Sequence, residues 1–249
     1  MDWSEEGFVL GVRRQGENNA VLELFTRGHG RHLGLVRGGR GRRLRPVLQT
    51  GNLVEVTWRA RLAEHLGSFT VEALEMQAAR LMDDPFRLAG LMSMADLTRL
   101  LPEREPHERL YDAFRIVLSQ IEDDAVWPAL LVRWELGLLE ELGFGLDLSK
   151  CAATGSTDEL IYVSPKSGQA VSRGAGEPYR SKLLALPEFV KARGGGQAPG
   201  PVDIANGFKL TDYFLQRDVL GPRGLSMPQS RDRVVSTVSS RDTSSSSDN

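Results

Sequence analysis

In Leu53-Val54-Glu55-Val56-Thr57-Trp58-Arg59, the apolar Val54, Val56 and Trp58 alternate with the polar Glu55, Thr57 and Arg59. Successive side chains on a strand point to opposite faces, so this period of two marks a strand with one buried face. The run extends to residue 62. Similar stretches rich in β-branched, aromatic and aliphatic residues lie on either side, at residues 7–12, 21–25, 31–36 and 66–74. Gly16-Glu17-Asn18-Asn19, Gly28-His29-Gly30 and Gly51-Asn52 separate them as turns. Five strands in so short a span predict a small closed barrel, because closure removes edges that would otherwise pair with other chains. An OB fold and an SH3-like barrel fit this count equally.

After residue 78 the periodicity becomes helical. Asp83-Asp84-Pro85 sets a capping acid before a first-turn proline, and Leu88, Leu91, Met92 and Ala95 follow on one face as far as Pro102. A second helix from Pro106 aligns Leu110, Phe114, Val117, Leu118 and Ile121. A third follows Asp123-Asp124, carries Trp127, Leu130, Leu131, Trp134, Leu138 and Leu142 as a wide apolar stripe, and ends at Gly143 and Gly145. Such one-sided helices predict a bundle. Beyond them the pattern gives a strand at 160–163, helix at 181–191, a flexible connection at 194–201 and helix at 204–220. The expected class is therefore α+β, with a barrel at 1–78, a helical domain at 79–225 holding a hairpin insertion at 147–180, and a Ser-rich disordered tail at 226–249.

The chain is close to neutral, with 31 Lys and Arg against 33 Asp and Glu, which by itself argues weakly against a polyanionic partner. The distribution argues for one. Residues 27–45 hold seven arginines (Arg27, Arg31, Arg37, Arg40, Arg42, Arg43 and Arg45) and no acid, so the rest of the chain carries nine net negative charges. Arginine offers a planar fork of donors matched to phosphate oxygens, and glycines between the arginines let a strand approach closely. The competing reading is a mobile, solvated loop. These glycines precede no Gly-Lys-Ser/Thr, so the segment is not a phosphate-binding loop of the nucleotide type. Arg13 and Arg14, at a turn of the same domain, are supporting candidates for DNA contact. Phe8, Phe25, Trp58 and Phe69 read as barrel core, whereas Trp3 falls outside the periodic pattern and is a candidate for exposure. His29 and His32 read as polar loop residues. No hydrolase, metalloprotease or dinucleotide motif is present, so an enzyme is not expected. A single cysteine excludes an internal disulfide. An acidic start and no long apolar stretch give the expectation of a cytoplasmic protein.

An ordered set of short segments resembles one family. These are Gly7-Phe8-Val9-Leu10, Arg13-Arg14-Gln15-Gly16-Glu17-Asn18, Leu24-Phe25-Thr26, Arg37-Gly38-Gly39-Arg40, Leu48-Gln49-Thr50-Gly51, Leu142-Gly143-Phe144 and Leu146-Asp147-Leu148-Ser149-Lys150-Cys151. Together they resemble the RecO family over residues 5–220. The resemblance implies an N-terminal OB fold and a helical domain, association with the nucleoid during DNA repair and homologous recombination, and no cofactor. It implies binding of single- and double-stranded DNA, annealing of complementary strands, and RecA loading on coated gaps. The implied partners are RecR and the C-terminal tail of the single-strand-binding protein. Many family members carry paired Cys-x-x-Cys motifs for zinc; the matching positions here are Cys151, Thr154, Ser172 and Ala175, which predict no bound metal. Two other readings stay open: an interaction scaffold with little DNA affinity of its own, and an RNA-binding OB protein.

Overall fold

A computed structural model describes residues 1–191 and 198–245, with side chains described as far as 241. β1 (Asp2–Gln15), β2 (Asn19–Thr26), β3 (Gly30–Val36), β4 (Leu53–Arg59) and β5 (Ser68–Glu75) close into a barrel in the order β1-β2-β3-β5-β4. Insertion of β5 between β3 and β4 is the Greek-key connectivity of an OB fold, which settles the choice that strand number left open.

β1 is longer than the predicted 7–12. Its first half pairs with β4, from Asp2 opposite Arg59 to Phe8 opposite Leu53, and its second half pairs with β2. The acidic Ser4-Glu5-Glu6 hides this half from a propensity reading, but cross-strand pairing overrides propensity. A bulge between Val9 and Gly11 lets one strand serve both neighbours. Inside, Val9, Leu22, Leu24, Val54, Val56, Trp58, Phe69 and Val71 form the core. Phe8 and Phe25, opposite one another on β1 and β2, are buried outside this core, where Tyr111 and Phe114 cover them with ring centroids 4.8–6.0 Å apart.

The chain folds as two compact units, Met1–Arg115 and Ile116–Asn249. The first unit includes α1 (Gln77–Leu81), α2 (Pro85–Thr98) and most of α3 (Glu108–Ser119) together with the barrel, although the sequence periodicity changes at 78. Asp84 caps α2 as its spacing predicts, accepting from the Phe86 and Arg87 N–H groups at 3.1 Å each.

The second unit opens with α4 (Trp127–Glu141). A sheet of β6 (Leu160–Val163), β7 (Ala170–Ser172) and β8 (Leu184–Ala185) follows in the order β7-β6-β8, with the single turn α5 (Arg173–Gly176) directly after β7. α6 (Pro201–Phe214) and α7 (Gln229–Ser245) then pack with α4 around Trp134, Leu138, Phe208 and Val234. Three expectations need correction here. The tail is not disordered as far as it is described: α7 docks through Val234, Val238 and Arg231, the last only 1% exposed and bonded to Glu135 of α4 at 2.8 and 3.0 Å. Its many Ser and Asp residues masked these few docking positions; residues 246–249 lie outside the described chain. The helix at 181–191 is instead a tight turn, β8 and another tight turn, because Pro187 stops a helix and Leu184 pairs with β6. The long helix at 204–220 is α6 followed by a wider coil over Leu215–Leu220. Of the predicted connection at 194–201, residues 194–197 lie outside the described residues, and Pro201 already begins α6.

Candidate nucleic-acid interface

Residues 37–51, between β3 and β4, wind into successive turns, with Gly41 N–H donating to Gly38 O at 2.9 Å, Arg45 N–H to Gly41 O at 3.0 Å and Leu48 N–H to Leu44 O at 2.9 Å. Leu48 is buried in the barrel core, and Leu44 and Val47 pack against it. The buried Asn52 amide closes the far end by donating to Pro46 O and Val47 O at 2.9 and 3.0 Å. These contacts tie the segment to the barrel at Leu44, Val47, Leu48 and Asn52. Arg37, Arg40, Arg42, Arg43 and Arg45 are exposed, Arg43 along a groove with Thr70 and Glu72 of β5 and Arg40 and Arg45 along another.

The β1–β2 turn is bonded to this segment. Gly38 N–H donates to Asn19 Oδ1 at 3.1 Å, Arg40 N–H to Asn18 O at 3.2 Å, and Arg40 Nη1 to Glu17 O at 2.5 Å. Arg13 and Arg14, exposed near the end of β1, thus share one end of the barrel with the cluster. Val12, Gly39, Arg40, Arg45 and Leu48 line a shallow groove of about 370 Å³ there. Among the described residues none of these seven arginines forms a salt bridge.

Arg27 and Arg31 are placed differently. Arg27 bonds Asp112 at 3.0 and 3.1 Å and Glu108 at 2.5 Å; the hydrogen bond from Arg27 holds the Asp112 carboxyl below its usual range. Arg31, 16% exposed in its side chain, bonds Glu23 at 2.7 Å and approaches Glu103 at 3.6 Å. Their charges are already matched within the fold. Glu108 and Asp112 lie four apart on α3, and nothing in the sequence around Arg27 marks them as its partners.

Phe8, Phe25, Trp58 and Phe69 are all buried. Trp3 is not freely exposed: it lies in β1 opposite Trp58 and stacks on His29 with centroids 4.0 Å apart. His29 also meets Glu5 at 2.8 Å. His32 is no loop residue. It is 4% exposed inside the barrel, edge-on to Trp58 at 5.0 Å, with both ring nitrogens unpartnered. Burial, followed by the charges of Arg104 and His29, pushes its pKa down to about 4.

The four hairpin positions do not make a zinc site. Cys151 is 2% exposed, and its sulfur accepts from the Ser172 N–H and hydroxyl at 3.3 Å each. Burial pushes this thiol up, but hydrogen bonds from Ser172, Thr154 and the Ala153 N–H outweigh it and bring the pKa to about 6. Ala175 offers only a methyl. One thiol, two hydroxyls and a methyl do not fit a metal that takes four N, S or carboxylate ligands. The hairpin is tied instead by these bonds and by Arg217, which donates to Pro165 O.

Two family models cover the chain, Recombination protein O N terminal over residues 1–76 and Recombination protein O C terminal over residues 82–226. The chain belongs to the RecO family. It is 58% identical over 238 residues to the DNA repair protein RecO of Methylobacterium nodulans, covering 94% of this chain and 97% of that one. It is 54% identical over 241 residues to RecO of Rhodopseudomonas palustris (strain TIE-1), covering 96% of each, and 51% identical over 235 residues to RecO of Sinorhizobium medicae, covering 94% of each. A RecO chain has a role in DNA repair, and the surface described above belongs to its OB domain. Among the described residues no helix is long and apolar enough to cross a membrane.

Proposed function

We propose that this RecO chain binds the phosphate backbones of single- and double-stranded DNA through Arg13, Arg14, Arg37, Arg40, Arg42, Arg43 and Arg45, and so brings complementary strands together. The observation that carries this reading is the joining of seven exposed arginines, free of salt bridges, across two bonded turns at one end of the barrel. Two strands repel through their phosphates; a cationic surface held between them lowers that repulsion without any bond being made or broken. Each neutralised phosphate releases condensed counterions, so seven contacts give a salt slope of about −5 on single strands and about −6 on duplex. With every barrel aromatic buried or stacked internally, the arginine contacts read backbone and not sequence.

In the cell this activity would serve recombination on gaps coated by the single-strand-binding protein, with RecR as partner in RecA loading and the nucleoid as the place of work. Strand annealing by the purified chain, without ATP and across a salt series, tests the core of the proposal. Rapid annealing that fades with salt is expected, and annealing no faster than that of protein-free strands overturns it. DNA binding with and without RecR separates intrinsic affinity from a scaffold role.

A further inference from the structure

Annealing needs two strands, and the arginine surface of the first unit supplies one kind of contact, to phosphate. A single strand also exposes the faces of its bases, which proteins take against aromatic side chains. The most exposed aromatic side chains among the described residues are Tyr179 at 62%, Phe144 at 38% and Tyr213 at 37%, all in the second unit. They are not alike. The Tyr213 ring lies edge-on to Phe214 and under the Arg217 guanidinium, 5.6 Å from its centroid. Phe144 stands in sequence between Glu140 and Glu141 on one side and Asp147 on the other, carboxylates that repel phosphate. Tyr179 has no ring contact or hydrogen bond among the described residues.

The segment that carries Tyr179 is held at both ends. Glu177–Lys182 is a short stretch of 3-10 helix between α5 and β8, and Pro178 fixes one of its backbone angles. At its start Gly176 packs so closely on Tyr162 that a Cβ would lie 2.4 Å from the ring, and the Tyr162 hydroxyl donates to Glu177 Oε2 at 3.2 Å. At its end the Leu183 N–H donates to Arg180 O at 3.3 Å, and Leu184 pairs with Val163 of β6. Side chains three apart on a 3-10 helix eclipse one another. This sets Glu177 with Arg180, whose charges meet at 3.8 Å, and Tyr179 with Lys182. Arg173 and Lys191 are likewise matched, by Glu159 at 3.2 Å and Glu188 at 2.5 Å. Lys166 and Lys182, both exposed, form no salt bridge among the described residues. They also leave the same end of the sheet: Val163 ends β6, its partner Leu184 begins β8, and the two lysines lie just beyond that pair.

We propose that Tyr179 and Lys182 form a second single-strand contact: the phenol ring stacks on an unpaired base and the ammonium meets a neighbouring phosphate, with Lys166 in support. Each unit then offers a place to one strand, and a single chain carries both. The inference rests on the DNA-binding reading above and adds a different kind of recognition to it. Arginine contacts to phosphate do not depend on base pairing. A base inside duplex is stacked on both faces and offers Tyr179 nothing, so this contact holds a strand before annealing and releases it as the duplex forms. Stacking is also tolerant of sequence, because every base has a π face.

The test irradiates the full chain with a single strand carrying 5-iododeoxyuridine and maps the crosslinks by mass spectrometry, alongside annealing rates. A crosslink at Tyr179 is expected. Tyr179→Ser should abolish it and slow annealing about tenfold, while duplex affinity and melting temperature stay as in the intact chain, the side chain being exposed. Tyr179→Phe keeps the ring and should restore both, whereas Lys166→Ala with Lys182→Ala should weaken both. Crosslinks confined to the barrel, annealing at the intact rate in Tyr179→Ser, or no recovery in Tyr179→Phe overturns the proposal. An intact chain that binds no single strand removes the reading beneath it as well. If substitution of Arg40, Arg42 and Arg43 weakens binding and the Tyr179 variants anneal normally, this inference alone falls.

Discussion

Replacing Arg40, Arg42 and Arg43 together by alanine removes three of the seven exposed cations and disturbs little else. All three side chains are exposed, and their one side-chain hydrogen bond in the fold is from Arg40 to Glu17 O. At about 0.7 per phosphate on single strands, the salt slope should fall from about −5 to about −3. Between 50 and 200 mM salt the intact chain then loses roughly a thousandfold in affinity and the variant roughly fiftyfold. Fluorescence anisotropy with a labelled single strand at four or five salt concentrations measures both slopes. Arg27→Ala is the matched control: it lies in the same run of sequence, but Glu108 and Asp112 already hold its charge, so its slope should stay at that of the intact chain. An unchanged slope in the triple variant, or an equal drop in Arg27→Ala, would refute the assignment of the surface.

Three other outcomes are expected. His32 has a folded pKa of about 4, below the ordinary value near 6.5, so the unfolded chain takes up the proton first. Stability is then full above about pH 6.5 and falls by about 3 kcal/mol as the pH drops to about 4; His32→Leu should remove this component of urea unfolding curves, and a variant with the intact chain's pH dependence would contradict it. Arg231→Ala leaves the buried Glu135 carboxylate without its cation and should cost about 3–5 kcal/mol in denaturant unfolding, whereas Arg231→Met with Glu135→Leu should recover most of that loss. A chelator should leave the melting temperature unchanged and metal analysis should find no zinc, while one zinc per chain would show that the Cys151 region is built differently.

The barrel was legible because alternation such as Val54, Val56 and Trp58 follows directly from burial of one strand face. The same logic missed the first half of β1, where Ser4, Glu5 and Glu6 are poor strand formers held by pairing with β4. The tail was misread for a related reason. α7 docks on Arg231, Val234 and Val238, and in a Ser- and Asp-rich stretch so few residues do not move the composition. At the DNA surface, the sequence located the cationic segment but not its division. Whether an arginine is free depends on which carboxylates the fold brings opposite it: Glu108 and Asp112 are far from Arg27 in sequence and bonded to it in space. The buried His32 was invisible for the opposite reason, since a polar residue between turn formers and arginines gives no hint of facing into the barrel.

The anchoring of residues 37–51 also bears on how the gene can vary. Connections between strands ordinarily accept inserted or deleted residues, because little depends on their length. In this one Leu48 sits in the barrel core and Asn52 closes the turn on Pro46 and Val47, so a single added residue would pull either the leucine or the amide out of place. The outward side chains there can be exchanged at little cost, whereas a change of length between Leu44 and Asn52 acts on the barrel beneath.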